Sequence, residues 1–316
     1  MKTTLYEFSA MGSDCGICLA AGEGFDLAPV FAAAEAEVYR IEQRYSRFRT
    51  DSDLALLNTT ARSGSMTATD DETAGLLAFA RRCHALSGGS FDITAGPLRL
   101  AWEASAEPTQ AELDAARRHV GMDKVELAPG TVRFTAPGMT LDFGGIGKEY
   151  AADRAADLCR ALGAAHGYVN LAGDIRVVGP TPDGRPWIIG IVDPRAPDRI
   201  VARVSLAAGA IATSGDYQRF IERDGRRVGH ILDPRSGRPA QGLSSVSVIA
   251  ETCLVAGSLA TTAMAMGSDG RAWLQTLGVR HIAIDGDGGY WGTEPRLQRN
   301  TNVGNGTPDD VGETRT

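Results

Sequence analysis

The chain has few aromatic residues, no long apolar run and no excess of positive charge, and these shortages exclude several classes of function. Aromatic side chains make up 6% of its 316 residues, and the net charge is −7. An acidic balance provides no electrostatic footprint for nucleic acid and no attraction to anionic lipid. No segment approaches the length of a membrane span, and the N-terminus lacks the apolar core of a signal peptide. We expect a cytoplasmic protein without nucleic-acid partners or stable membrane insertion; the alternative is an exported protein whose leader is missing.

The five cysteines are an odd and scattered set, which argues against a disulfide framework. Cys15 and Cys18 have the C-x-x-C spacing that also occurs in redox and zinc sites. Strand residues three apart point to opposite faces of a sheet, however, and no second Cys or Cys/His pair accompanies these two. We therefore expect five free thiols.

A glycine-rich turn before an alanine-rich helix is the most informative segment. Residues 141–154 read LDFGGIGKEYAADR, and the apolar residues before Asp142 predict a short strand over residues 140–142. Glycines allow backbone N–H groups to approach a ligand, and the N-terminus of the following helix favours anions. Lys148 adds a mobile positive charge. The segment is thus typical of a phosphate or pyrophosphate site, with a plain turn between strand and helix as the alternative.

Neighbouring residues exclude two other phosphate motifs. Glu149 stands where a P-loop has the Ser or Thr that binds magnesium. The Asp-Phe-Gly of residues 142–144 is not that of a protein kinase, because no His-Arg-Asp loop precedes it. The glycine turn therefore matches neither of these two motifs.

Further motifs are distributed along most of the chain. The segment HILDP places His230 at a strand end, before Asp233 in a proline turn that this carboxylate is expected to fix. The others are Met11-Gly12-Ser13, Ser46-Arg47-Phe48, the segment from Gly89 to Leu98, the segment from Ala212 to Tyr217, and the small-residue helix from Leu254 to Met266. In this order they resemble the FAD:protein FMN transferases, the ApbE-type flavin transferases, from about residue 11 to about residue 267.

The resemblance implies a compact α+β body like the T-fold, with mixed and antiparallel sheets, helices and a flavin in a cleft. The irregular order of strand runs and helix runs independently favours an α+β fold over an alternating βα fold. Residues 1–295 are expected to form a single ApbE-like flavin transferase domain. Residues 296–316 have almost no apolar content and predict a disordered tail.

The resemblance also implies an activity, in which FMN moves from FAD to a Thr or Ser hydroxyl of a partner protein and AMP is released. Phosphoryl transfer depends mainly on positioning and charge neutralisation. The site must therefore hold an isoalloxazine ring, an adenine and a pyrophosphate beside Mg²⁺. The flavin-site positions implied by the family pattern are Met11, Phe48, Ser90, Phe91, Asp92, Asp142, Lys148 and Ile231.

These residue types suit their implied roles, but each also has an ordinary structural explanation. Met11 and Phe48 suit packing against flat rings, although such residues more often belong to a core. Asp92 and Asp142 suit hydrogen bonds to hydroxyl or ring N–H groups, and Asp92 equally suits capping the turn after it. His230 is the implied catalytic residue, because a neutral imidazole can accept the proton of an attacking hydroxyl.

The implied magnesium site departs from the family pattern at one position. That site uses a backbone carbonyl near Gly145 and, one helical turn apart, a carboxylate and a hydroxyl in the pattern Ala-Asp-Ala-Leu-Ala-Thr. This chain reads AGSLAT over residues 256–261, so Gly257 takes the aspartate position. Because glycine offers no side chain to a hard cation, magnesium affinity is expected to fall unless water or another acid, Asp174 or Asp216, substitutes.

Three functions therefore remain open. The first is the flavin transferase, which the retained His230, Lys148 and Thr261 favour. The second is an FAD-binding protein for storage or delivery whose metal chemistry is lost, which Gly257 favours. The third is a magnesium-dependent pyrophosphatase that splits FAD into FMN and AMP.

Overall fold

The computed structural model describes residues 1–105, 107–216, 220–223, 226–229, 231–297 and 313–315. Helices and strands intermix along these residues, as an α+β fold requires. The helices are α1 (Ala28–Tyr45), α2 (Asp53–Ser63), α3 (Asp71–Leu86), α4 (Gly96–Ala104), α5 (Gln110–Arg117), α6 (Gly147–Ala161), α7 (Cys253–Met266) and α8 (Gly270–Leu277). The strands are β1 (Lys2–Ala10), β2 (Ser13–Ala21), β3 (Met66–Ala68), β4 (Val125–Ala128), β5 (Thr131–Phe134), β6 (His166–Leu171), β7 (Asp174–Gly179), β8 (Trp187–Asp193), β9 (Ala196–Leu206), β10 (Ala210–Gly215), β11 (Phe220–Arg223), β12 (Arg226–Gly229), β13 (Leu232–Asp233), β14 (Arg238–Pro239), β15 (Leu243–Ala250), β16 (Arg280–Asp285), β17 (Tyr290–Gly292) and β18 (Glu313–Arg315).

The fold is built around an eight-stranded sheet with the order β1-β2-β6-β7-β10-β15-β16-β17. All neighbouring strands in it are antiparallel. A smaller sheet, β18-β8-β9, covers one face, and helices α1, α6 and α7 pack on the other. A third sheet, β3-β5-β4, and the hairpins β11-β12 and β13-β14 lie outside these layers. The predicted α+β architecture with antiparallel sheets is confirmed.

Alternation along the central strands divides the buried side chains between two layers. On β6, Tyr168 packs edge-on against Trp187 of β8 with ring centroids 5.1 Å apart, whereas Val169 enters the core beneath the helices. Cys15 and Cys18 on β2 are divided in the same way. This is the period-two pattern of a strand that is buried on both faces. It confirms that the two cysteines cannot pair, and all five cysteines are free thiols.

Helices α6 and α7 lie side by side on the sheet and run in opposite directions. A buried carboxylate on α6 fixes their register: Asp153 accepts hydrogen bonds from the N–H groups of Cys253 and Leu254 at 2.8 and 2.9 Å. Those N–H groups belong to the first turn of α7, where the helix offers no acceptors of its own. Asp153 on α6 thus provides acceptors for the first N–H groups of α7 and holds the two helices together.

The predicted strand over residues 140–142 is wrong. The segment is extended, but Thr140 forms only an isolated parallel bridge with Ala95, and the backbone bonds of Leu141 are made by a side chain. Leu141 donates its N–H to Oδ1 of Asn58 at 2.6 Å and accepts from the Asn58 amide at 3.0 Å, and the next N–H donates to the Ile93 carbonyl at 2.7 Å. The carbonyl oxygen and one N–H of a primary amide lie side by side, as an acceptor and a donor do on a neighbouring strand. Asn58 therefore takes the place of a neighbouring strand at Leu141.

Helix α4 was not predicted from the sequence, although its start carries a recognisable signal. Pro97 stands in its first turn, where a missing N–H is harmless and the fixed φ suits a helix. Its end is anchored at a distance, because the Trp102 indole donates to the Gly237 carbonyl at 2.8 Å. The helix forms a small core with α5.

The tail prediction falls mainly on residues 298–312, which lie outside the described residues. Residues 313–315 form β18, parallel to β8. The single-domain boundary at residue 295 stays a prediction. Within the described part of the chain, no helix combines the length and apolar content needed to cross a membrane.

Replacing Asn58 with alanine removes both hydrogen bonds that hold the segment before the glycine turn. Two buried backbone groups of Leu141 then lose their partners, so we expect the free energy of unfolding to fall by about 2–4 kcal/mol. Urea denaturation measures this change. Thr59→Ala, at an exposed position of the same helix, is the matched control and should leave stability nearly unchanged. Equal stability of Asn58→Ala and wild type would show that the segment does not depend on Asn58.

Candidate active site

Several turns converge at one edge of the large sheet and define the candidate site. The β1–β2 turn holds Met11, the β6–β7 turn joins Leu171 to Asp174, and β10 ends at Gly215. The antiparallel registers bring these turns to the same edge. Helix α6 also begins there, because the Lys148 ammonium donates to the Leu171 carbonyl at 3.3 Å.

Several N–H groups of the glycine turn already donate hydrogen bonds within the turn. Gly144 donates to Asp142 Oδ1 at 2.9 Å, and Ile146 and Gly147 donate to the Phe143 carbonyl at 3.0 and 2.7 Å. These three bonds shape the turn and present the start of α6 toward the site. They also leave fewer N–H groups for an anion than the spacing of glycines indicates.

Two arginines surround Asp142. Its Oδ2 accepts from Arg47 Nη1 at 2.7 Å and from Arg99 Nε at 2.8 Å. Charge-assisted hydrogen bonds of this kind are short and strong. Asp142 thus holds two guanidinium groups beside the glycine turn. Such local positive charge in an acidic protein suits an anionic ligand.

Lys148 is held in place, contrary to the mobile charge expected from the sequence. Its ammonium lies 2.5 Å from Oδ2 of Asp174, which is almost fully buried at the start of β7. Burial lowers the pKa of Lys148, but the nearby carboxylates of Asp174 and Glu149 outweigh this effect and raise it overall. Lys148 therefore stays charged and fixed at the site.

Met11 and Phe48 occupy different environments. Met11 has a positive φ of 54°, and its N–H donates to Glu42 Oε1 at 2.8 Å. The Met11 turn and Glu42 line a depression of about 390 Å³. Phe48 is 80% exposed, with the Arg47 guanidinium 4.7 Å from its ring centroid. A core role for Phe48 is thereby excluded, and its ring is accessible to a ligand.

Ser90, Phe91 and Asp92 are all largely buried next to the glycine turn. The Ser90 hydroxyl has no hydrogen-bond partner among the described residues. The Phe91 ring lies against Gly145, because a Cβ built on Gly145 would be 3.1 Å from Phe91 Cε2. Asp92 Oδ1 accepts from the N–H and hydroxyl of Thr94 at 2.8 and 2.6 Å. The turn-capping role considered for Asp92 is confirmed.

The metal positions implied by the sequence meet between α6 and α7. A Cβ on Gly145 would lie 3.4 Å from the Thr261 methyl group, so these two positions are in contact. One turn away, the Glu149 side chain covers Gly257: a Cβ there would lie 2.9 Å from Glu149 Oε1. Glu149 is 5% exposed, and burial raises the pKa of its carboxyl, with the Asp174 carboxylate raising it further.

Two other oxygen-bearing side chains near this contact already have partners. Asp174 pairs with Lys148 and accepts from the Thr213 N–H at 3.2 Å, and the Ser258 hydroxyl donates to the Val255 carbonyl at 3.0 Å. No group of three or more His, Cys, Asp or Glu side chains is arranged to hold a metal in the described ranges. Any cation must therefore rely on few side chains.

The histidine motif is only partly visible. His230 lies outside the described residues. Ile231 follows it and packs against the core around α7. Asp233 Oδ1 accepts from the Arg235 N–H at 3.0 Å, which confirms that this carboxylate fixes the turn.

Comparison with known proteins agrees with this geometry. The sequence profile of the ApbE family matches residues 11–283. The chain belongs to the ApbE family. It is 34% identical to an FAD:protein FMN transferase of Vibrio cholerae over 237 residues, which cover 72% of this chain and 71% of that protein.

Solved ApbE structures have the same fold. The ApbE protein of Thermotoga maritima matches with a TM-score of 0.87 and 30% identity, covering 93% of this chain and 97% of that one. The apo flavinyl transferase ApbE of Pseudomonas stutzeri matches with a TM-score of 0.82 and 30% identity, covering 93% and 94%.

Sequence reasoning gave no role to two residues that the structure brings to the candidate site. Arg99 lies on the unpredicted helix α4, so nothing indicated its contact with Asp142. Glu149 was noted only as an obstacle to a P-loop. A buried position for it could have been inferred from its place on the alanine-rich face of α6.

A pH effect on stability follows from the pair of His84 with Asp92. His84 Nε2 lies 3.4 Å from Asp92 Oδ2, and this hydrogen bond raises the pKa of His84. Stability from a raised histidine pKa is fully present below the unfolded value of about 6.5 and is lost as pH rises through the folded value. Wild type should therefore lose more unfolding free energy between about pH 6 and 8 than His84→Asn.

Urea denaturation at both pH values measures this difference. His119→Gln keeps the His84–Asp92 pair and should retain its pH dependence. If His84→Asn showed the same pH dependence as wild type, the pair would contribute nothing to stability.

Proposed function

We propose that this ApbE-family protein transfers FMN from FAD to a Thr or Ser hydroxyl of an acceptor protein. The observation that carries the proposal is the convergence of the glycine turn, the exposed Phe48 ring and the Gly145–Thr261 contact at one edge of the sheet. The named transferases among its relatives support the same reaction. The acceptor, and the hydroxyl that it offers, belong to this proposal.

The flavin and its phosphates would occupy the surface between the Met11 turn and the start of α6. The exposed ring of Phe48 suits stacking on a flat ring system. The buried Ser90 hydroxyl, which lacks a partner among the described residues, can hydrogen-bond to the ligand. The fixed ammonium of Lys148 and the positive dipole end of α6 favour the pyrophosphate. Phe91, Asp92, Asp142 and Ile231 would shape this surface.

The residues present also fit Mg²⁺. The Gly145 carbonyl and the Thr261 hydroxyl would bind it, since Mg²⁺ uses few protein oxygens together with substrate phosphates. When bound, the ion neutralises charge on the pyrophosphate. The buried Glu149 carboxylate beside this contact has an oxygen without a hydrogen-bond partner among the described residues, as expected near a cation.

His230 would serve as the base. The acceptor hydroxyl oxygen forms a bond to the FMN-side phosphorus while its proton passes to His230. The bond between this phosphorus and the bridging oxygen breaks, and AMP leaves with that oxygen. Lys148 and the arginines beside Asp142 would hold the phosphates in line during this step.

The alternative is an FAD-binding protein for storage or delivery, which one observation favours: Gly257 lacks the carboxylate of the family pattern. A pyrophosphatase would use the same groups with water in place of the acceptor hydroxyl. Incubation with FAD, Mg²⁺ and candidate acceptor proteins separates these functions by product, since only the transferase leaves FMN covalently attached to an acceptor.

Removing the exposed ring tests the flavin site. Phe48→Ala should weaken FAD binding by about 1–3 kcal/mol, the scale of one lost stacking contact. Isothermal titration calorimetry measures the affinity. Phe25→Ala removes another exposed ring, which contacts the Gly163 position beyond the end of α6 and so lies away from the site. Equal FAD affinity of both variants would place the flavin elsewhere.

Removing the proposed base tests the chemistry separately from binding. His230→Gln should slow FMN transfer by about 10²–10⁴-fold while FAD affinity is retained. His166→Gln is the control, because His166 binds the Pro180 carbonyl at the start of β6, at the opposite edge of the sheet. Mass spectrometry of the acceptor over time gives the rate. Transfer by His230→Gln at the wild-type rate would exclude His230 as the base.

A further inference from the structure

We propose that Glu149 supplies the carboxylate of the cation site, in place of the aspartate that the family pattern has at the position of Gly257. The inference rests on the proposed function, because it assumes that FAD and a divalent cation bind together at this site. It concerns only which residue of this chain provides the negative charge.

The first argument is spatial. A Cβ built on Gly257 would lie 2.9 Å from Glu149 Oε1 and 3.0 Å from its Cδ, and it would overlap with Cγ. Any side chain at this position of α7 would therefore occupy the space that Glu149 already fills from α6. The carboxylate reaches the same place from the opposite helix.

The second argument is chemical. Glu149 is 5% exposed, and its Oε2 has no hydrogen-bond partner within the described part of the chain. A buried polar oxygen without a partner is costly, and buried carboxylates are normally paired with a charged group or a metal. The neighbouring ammonium of Lys148 is in contact with Asp174 at 2.5 Å and with the Leu171 carbonyl. A bound cation would give Glu149 the partner that it lacks.

The third argument is the register of the two helices. Asp153 contacts Cys253, Glu149 contacts Gly257, and Gly145 faces Thr261. Each step is four residues, which is about one helical turn along α7 and, from Asp153 to Glu149, along α6, whereas Gly145 lies in the turn just before α6. A carboxylate at position 149 therefore lies one turn from the Thr261 contact, the same separation that the family pattern gives to its aspartate and threonine.

The other candidate acids fit less well. Asp174 Oδ2 also lacks a hydrogen bond within the described residues, but it lies 2.5 Å from the Lys148 ammonium, and Oδ1 accepts from the Thr213 N–H. Asp216 lies just beyond the end of β10, where its own N–H donates to the Ser244 carbonyl and its Cβ lies 3.5 Å from the position that a Cβ would take on Gly229. One carboxylate, one hydroxyl and one carbonyl are enough for an ion that takes its remaining ligands from phosphates and water.

Binding of Mn²⁺, a paramagnetic substitute for Mg²⁺, tests this assignment without relying on activity. Free Mn²⁺ is measured by electron paramagnetic resonance in a titration of the protein saturated with FAD. Glu149→Gln keeps the size of the side chain and removes its charge. We expect it to weaken Mn²⁺ binding by at least tenfold, because even outer-shell partners of a metal contribute about 10–100-fold.

Two double variants extend the test: one moves the carboxylate from α6 to α7, and the other fills the space beside Gly257 without a charge. Glu149→Gly with Gly257→Asp returns the acid to α7 and should recover most of the Mn²⁺ affinity. Glu149→Gly with Gly257→Ala fills the space without a charge and should remain weak. If circular dichroism showed that Glu149→Gln does not fold, the two double variants would still test the assignment.

The assignment is overturned if Glu149→Gln binds Mn²⁺ as tightly as wild type, or if the two double variants bind it equally. It is also overturned if wild type saturated with FAD binds no Mn²⁺. FMN transfer by wild type is measured separately. Transfer with unchanged Mn²⁺ affinity in Glu149→Gln would leave the proposed function intact and remove only Glu149.

Discussion

The packing of α6 against α7 is the interaction on which the site depends. Asp153 binds the first N–H groups of α7 and thereby fixes how the two antiparallel helices are aligned. Because of that alignment, Glu149 lies over Gly257 and Gly145 lies against Thr261. A shift of one residue along either helix would rotate these groups by about 100° and separate them. The glycine turn, which directly precedes α6, is positioned by the same contact.

Charge around this contact is organised by buried and half-buried carboxylates rather than by an excess of basic residues. Asp174 holds the ammonium of Lys148, and Asp142 holds the guanidinium groups of Arg47 and Arg99. A protein of net charge −7 can thus present fixed positive groups at one edge of its sheet. Fixed groups lose little entropy when an anionic ligand binds, which is the advantage of preorganisation.

Most of the fold could be predicted from local signals, and two of the failures, at Leu141 and at Lys148, have a common cause. Asp70 and Thr109 cap their helices as the sequence indicates, because a cap and its helix are adjacent in the chain. The segment at Leu141 was misread because its partner is the Asn58 side chain, which no pattern near residue 141 reveals. Lys148 was expected to be mobile for the same reason, since Asp174 holds it from a distant strand.

The site shows the same division between local and distant information. The glycine turn and Thr261 are motifs that a sequence displays, but the effect of Gly257 depends on what lies opposite it in space. Diffraction from crystals grown with FAD and Mn²⁺, collected near the manganese absorption edge, locates the cation directly. We predict one anomalous peak within about 2.5 Å of a Glu149 carboxylate oxygen and near Thr261. A peak at Asp174 or Asp216, with Glu149 outside coordination distance, would contradict it.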